Sequence, residues 1–166
     1  MTTQANFTPE EWALLGDAPL AAATAVALAE EGGASREMAA LLDAWRTAAD
    51  LFVEHPLLLA IIRDMDPETR AAAESPDAAP SADPEADILG EAQELCRVAI
   101  ALLAQKAAIA DVVAYQRFVL HVADAVAQAD SDGGLPGLGV SPDERRALRA
   151  IRVALDYTPP ELTLEG

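Results

Sequence analysis

The sequence predicts an all-α fold: a single bundle of about six or seven helices built from two similar helical hairpins. Three observations carry that expectation. Hydrophobic residues make up 52% of the 166-residue chain and aromatics only 4%, because alanine dominates, and alanine is the strongest helix former. Nowhere do Val, Ile, Thr and aromatic residues alternate with polar ones as in a half-buried strand. Finally, one pattern occurs twice. Ala25-Val26-Ala27 leads into Glu30-Glu31-Gly32-Gly33, then Ser35, Glu37 and an apolar-periodic run ending at Arg46. Ala125-Val126-Ala127 leads into Asp130-Ser131-Asp132-Gly133-Gly134, then Ser141, Glu144 and a run ending at Arg152.

The elements follow in order. Thr8-Pro9-Glu10-Glu11 is a helix start: Thr8 can cap, Pro9 suits the first helical position, and the two acids face the positive end of the helix. Trp12 and Leu15 anchor this short helix. Gly16 and Pro19 are expected to break it, and a second helix to run from Pro19 to Glu31. Gly32-Gly33 stops that helix and Ser35 opens the next. Met38, Leu41, Leu42, Trp45, Ala49 and Phe52 recur there at three- and four-residue steps, giving one apolar face. Pro56 ends it, since proline lacks an N–H and disfavours helix at His55, and a short apolar helix from Leu57 to Met65 follows.

Pro67, Pro76, Pro80 and Pro84 interrupt residues 66–84, where no apolar period survives beyond a first helical turn at Glu68–Ala73. This composition predicts a mobile linker. Nine acids against Arg70 between Asp66 and Glu94 give a local balance of −8, nearly half of the chain's net −17. Beyond the linker, Ile88, Ala92, Leu95, Ala99 and Leu102 share one helix face, with Leu89, Cys96 and Leu103 beside them. Asp111 opens a helix whose Val112, Tyr115, Val119, Val122, Val126 and Ala129 form a heptad-like seam suited to near-antiparallel packing. The last helix starts at Ser141 and contributes Leu148, Ile151 and Leu155. The expected organisation is one domain: a first half at 7–65, the linker at 66–84, a second half at 85–157 and a frayed tail at 158–166.

A net charge of −17, with ten arginines and one lysine, repels nucleic acid and anionic membranes. The single cysteine, Cys96, rules out an intramolecular disulfide and suits a reducing cytosol. The first 17 residues lack the basic start and apolar run of a signal peptide. The longest charge-free apolar stretch, Ala18 to Ala29, falls short of the ~20 residues a membrane span needs. A cytoplasmic protein is the expectation.

Two resemblances bear on this. Phe7-Thr8-Pro9-Glu10-Glu11-Trp12, Ala18-Pro19-Leu20 and the stretch from Phe118 through Gly133-Gly134 to Val140-Ser141-Pro142-Asp143-Glu144 resemble an uncharacterised family of small bacterial helical proteins. That likeness covers about two-thirds of the chain and omits the linker; Leu135 and Leu138 stand where the family pattern has aromatics. It implies a helical fold and a cytoplasmic home. Ala129-Asp130 followed by Ser141 to Glu144 is similar to the helix–loop–helix of tellurite-resistance TerB-like domains, and that likeness implies metal binding by the acidic loop.

The candidate metal residues are Asp130, Asp132, Asp143 and Glu144, because a Gly-rich loop between helices can offer a hard divalent cation carboxylates and carbonyls together. An EF-hand register fails, since Leu135 would occupy the obligatory Gly position and Ser141 the bidentate Glu position. The structural alternative makes Ser141 and Glu144 a capping box, and Glu30, Glu31, Ser35 and Glu37 fit the same role in the first copy. His121 falls on a polar face near Arg117 and Asp124, where an exposed, idle imidazole is expected; Cys96 reads as a buried inert thiol. No phosphate-cradling loop, zinc spacing or nucleophile elbow occurs, so an enzyme is not expected. Arg145, Arg149 and Arg152, at i, i+4 and i+7 with Arg146 beside them, form the one concentrated basic face. It either pairs with the chain's own acids or meets a partner.

The leading expectation is a non-enzymatic protein acting by protein–protein association, including as a homodimer through Ala-rich faces, with no resident cofactor. The alternatives are a divalent-cation-binding TerB-like module and a small-molecule binder using a cavity between the hairpins.

Overall fold

The computed structural model describes residues 1–29, 34–73, 87–129 and 140–156. Among them are seven α-helices, a short 3₁₀ turn at Gln4–Asn6 and no strand, so the fold is the expected all-α bundle. The helices are α1 (Pro9–Ala27), α2 (Ala34–Leu51), α3 (Pro56–Asp64), α4 (Pro67–Ala73), α5 (Ile88–Lys106), α6 (Ile109–Gln128) and α7 (Pro142–Ala154). Among the described residues, no helix is long and apolar enough to cross a membrane.

Helix α1 departs from the sequence expectation. It runs unbroken through Gly16 and Pro19 and ends at Ala27, so the predicted separate helix from Pro19 to Glu31 does not exist. Proline inside a helix leaves the carbonyl four residues earlier without its amide donor. Here that acceptor is Leu15 O, and the buried Tyr115 hydroxyl of α6 donates to it at 2.8 Å. A side chain from a neighbouring helix supplies the bond that the backbone cannot. The start of α1 is as predicted: Thr8 Oγ1 accepts from Glu11 N at 3.2 Å while Glu11 accepts from Thr8 N at 2.8 Å, a complete capping box.

Helices α1 and α5 bury mainly small residues and make the most extensive helix contact in the bundle. On α5 the fully buried stripe is Ala92, Cys96, Ala99 and Leu103; Ile88, Leu95 and Leu102 of the predicted face are only partly buried. The centre of the face is thus rotated toward the smaller side chains, which let α1 approach closely. Helix α6 is the partner common to α1 and α2. Its seam follows the predicted register, with Tyr115, Val119, Val122 and Val126 buried and Val112 and Ala129 half-buried at the ends.

The few aromatics concentrate where α2 meets α6. The Trp45 and Phe118 rings pack edge-on at 5.0 Å, Phe52 sits 6.1 Å from Phe118, and Trp45 Nε1 donates to Ile62 O of α3 at 2.8 Å. Met38, predicted on the apolar face of α2, is instead exposed. Helix α4 takes up the first part of the predicted linker: Arg70 pairs with Asp17 of α1 at 2.8 Å, so residues 67–73 are tied to the body. The remainder of that linker, 74–84, lies outside the described residues, and so does the tail at 158–166. Asp87 begins the described second half and caps α5 by accepting from Gly90 N at 2.9 Å.

Two further contacts close the bundle. Buried Gln116 donates from Nε2 to Leu155 O at 2.7 Å, satisfying a carbonyl at the end of α7. At the end of α5, Lys106 donates to Glu11 Oε2 at 2.6 Å and to Asn6 O at 3.1 Å, with its ammonium 5.5 Å from the Phe7 ring centroid. Thr2 Oγ1 donates to Lys106 O at 3.0 Å, completing a clasp between the N-terminal turn and the end of α5.

Candidate functional site

Of the four acidic-loop candidates, Asp130 and Asp132 lie outside the described residues. The other two have structural partners. Asp143 is exposed and accepts from Arg146 at 2.8 Å. Glu144 is buried; its Oε2 accepts from Ser141 N at 2.7 Å while Ser141 Oγ accepts from Glu144 N at 3.1 Å. This reciprocal pair fits the capping-box alternative and orients Glu144 by its own helix. In the first copy Glu37 is buried at the corresponding place, early in α2, while Glu30 and Glu31 lie outside the described residues. Among the described residues no three His, Cys, Asp or Glu side chains converge as metal ligands.

His121 is half-buried rather than exposed, and its Nε2 is buried with no hydrogen-bond partner among the described residues. Helix α2 packs against α6 here. Together with Ala40, Asp43, Ala44 and Thr47 of α2 and Gln128 of α6, His121 lines a groove of about 320 Å³. One turn on, burial raises the Asp124 carboxyl above its ordinary value, opposed first by Arg152 and then by His121. Two other depressions lie among the described residues. A groove of about 140 Å³ between α1, α2 and α6 is walled by Ala23, Ala27, Leu41 and Val126, and one of about 300 Å³ between α2 and the α3–α4 junction is lined by Arg46, Arg63, Asp66 and Glu68.

Cys96 is fully buried, and burial pushes its thiol up to about 12 against a small opposing pull from Arg97. A thiol so placed stays protonated and shielded, which removes it as a nucleophile.

The predicted basic face is the best-formed charged feature. Arg145, Arg149 and Arg152 are all exposed along α7, spaced by four and three residues, so their Cα atoms span roughly 10 Å of helix. Arg152 pairs loosely with Asp124 of α6 at 3.6 Å, and Arg146 is satisfied by Asp143. Arg145 and Arg149 have no ion pair among the described residues. The structure therefore brings the three arginines onto one exposed helix and leaves two guanidiniums facing solvent. Val153, beside Arg149 and Arg152, adds an apolar side chain that is 70% exposed. Val153 was not among the residues singled out from the sequence. Its position four residues after Arg149 is the signal that places it on the same face.

Comparison with models of known protein families, with characterised protein sequences and with solved structures gives no match.

Proposed function

We propose that this protein works by associating with another protein chain and not by chemistry on a bound substrate. The observation that carries this reading is the exposed α7 face. In a chain of net −17, two arginines stand on one helix without an ion-pair partner among the described residues, although acids outnumber bases 28 to 11. Isolated surface charges cost little, yet a row of arginines on an otherwise acidic molecule gives a carboxylate-bearing partner a place to dock. Such a row selects a docking orientation. Two groups with reactive chemistry are taken up by the fold, which supports the same view: Cys96, expected as an inert thiol, is sealed in the core, and Glu144, a candidate metal ligand, completes a helix cap.

The test is native mass spectrometry of the full chain isolated at near-physiological salt, with and without added Ca²⁺ or Mg²⁺. The expected result is a stoichiometric complex with a second polypeptide, whether another copy or a different protein. A monomer carrying only a stoichiometric metal ion or small molecule overturns the reading.

A further inference from the structure

Resting on the association reading, we infer that the α7 face receives an acidic protein segment that carries carboxylates at helical spacing and one apolar side chain. Arg145, Arg149 and Arg152 present guanidiniums along roughly 10 Å of helix, which matches carboxylates three, four or seven residues apart on a partner helix. Guanidinium and carboxylate can meet in paired, planar hydrogen bonds, so Arg145 and Arg149, with Arg152 held only loosely by Asp124, supply geometry as well as charge. Val153 lies in the same stripe and is 70% exposed. It gives the partner an apolar contact that excludes water from the neighbouring ion pairs, as polar rims do around apolar interface centres.

Charge selects the size of the partner. Electrostatic interactions between exposed charges fade beyond a Debye length, about 8 Å at physiological ionic strength. A short acidic segment seated on α7 therefore feels mainly the arginines. A nucleic acid or an anionic membrane extends well past them and meets the remaining surface of a molecule at −17, which repels it. A peptide-sized acid fits; a polyanion does not.

The experiment measures fluorescence anisotropy of a labelled synthetic helix bearing Glu at i, i+4 and i+7 and Leu at i+8, titrated with the full-length protein at low and at physiological salt. Oligothymidylate and phosphatidylserine vesicles serve as competing probes. Arg145→Glu/Arg149→Glu and Val153→Asp all change exposed positions, so circular dichroism should match wild type. The expected result is saturable peptide binding that weakens with salt and falls roughly tenfold or more in the double arginine variant, with a smaller loss for Val153→Asp. Equal binding by wild type and the double variant, no binding by wild type at low salt, or a preference for oligothymidylate or vesicles overturns the inference. Failure here is distinguishable from failure of the association reading. If native mass spectrometry shows a complex that survives Arg145→Glu/Arg149→Glu, the partner docks elsewhere and only the α7 assignment falls.

Discussion

The hydroxyl of Tyr115 lies 2.8 Å from the carbonyl oxygen of Leu15, the acceptor that Pro19 leaves without an amide. The bond lets a proline sit inside a 19-residue helix and ties α6 to α1 at the same point. Tyr115→Phe strands a buried carbonyl and should lower unfolding stability by about 1–3 kcal/mol. In a Pro19→Ala background the helix regains its own donor, and the cost of Tyr115→Phe should shrink by on the order of 1 kcal/mol. A double-mutant cycle in urea measures this; additive losses would mean the two residues do not share that acceptor.

The same tyrosine and Cys96 set the alkaline limit. Burial is the main cause holding both acids protonated, Tyr115 well above its ordinary 10.0 and Cys96 from 9.0 up to about 12. Unfolding frees both groups to ionise near their ordinary values, so above about pH 9 the folded state binds more protons than the unfolded one. Stability is therefore complete below that pH and declines as pH rises toward 12. Urea midpoints across this range should fall, and less steeply in Cys96→Ala. A thiol reagent near neutral pH should label Cys96 only at the rate of unfolding.

Asp156 follows the last turn of α7 with φ 48°, the left-handed region that suits glycine. Its amide bonds Val153 O at 3.1 Å, while Leu155 N bonds Ile151 O at 2.9 Å, so this backbone geometry closes the helix. Asp156→Gly should leave the helix end intact and raise stability by up to about 1 kcal/mol, whereas Asp156→Ala should lower it by a similar amount. Thermal melts of the two variants check the sign.

Glu11 is held below its ordinary carboxyl value of 4.5, chiefly by the hydrogen bond from Lys106 and then by the Thr8 amide. A depressed acid contributes stability above its unfolded value and loses it as pH falls through the folded one. Lys106→Met should move Glu11 back toward 4.5, read by NMR titration, and should weaken protection of the amides around Thr8 and Glu11. An unchanged Glu11 titration would show that the capping amide alone sets it.

Much of this bundle was legible because it rests on local rules. The capping boxes at Thr8 and Ser141, the seam of α6 and the burial of Cys96 each depend on spacing within one helix. What was not legible depends on contacts between distant segments. Pro19 reads as a breaker until Tyr115, nearly a hundred residues away, supplies the missing donor. His121 reads as exposed until α2 packs against α6 and forms the groove that His121 lines, and the buried stripe of α5 turns toward Ala92, Cys96 and Ala99 because another helix of small residues lies against it. The arginine stripe was visible as a pattern. Which arginines lack an ion-pair partner among the described residues depends on the placement of α6, through Asp124, and on the rotamer chosen by Arg146.

Lys106 is the chain's only lysine, and its ammonium is engaged by Glu11 and Asn6. Amine-selective reagents thus have a single side chain to find, already occupied and placed where the N-terminal turn meets the end of α5. A lysine-to-lysine cross-linker has no anchor on α7 for a neighbour seated there, because no lysine stands on that helix. Trapping such a neighbour calls for chemistry aimed at arginine or at carboxylates, or for a photoreactive residue placed at Val153.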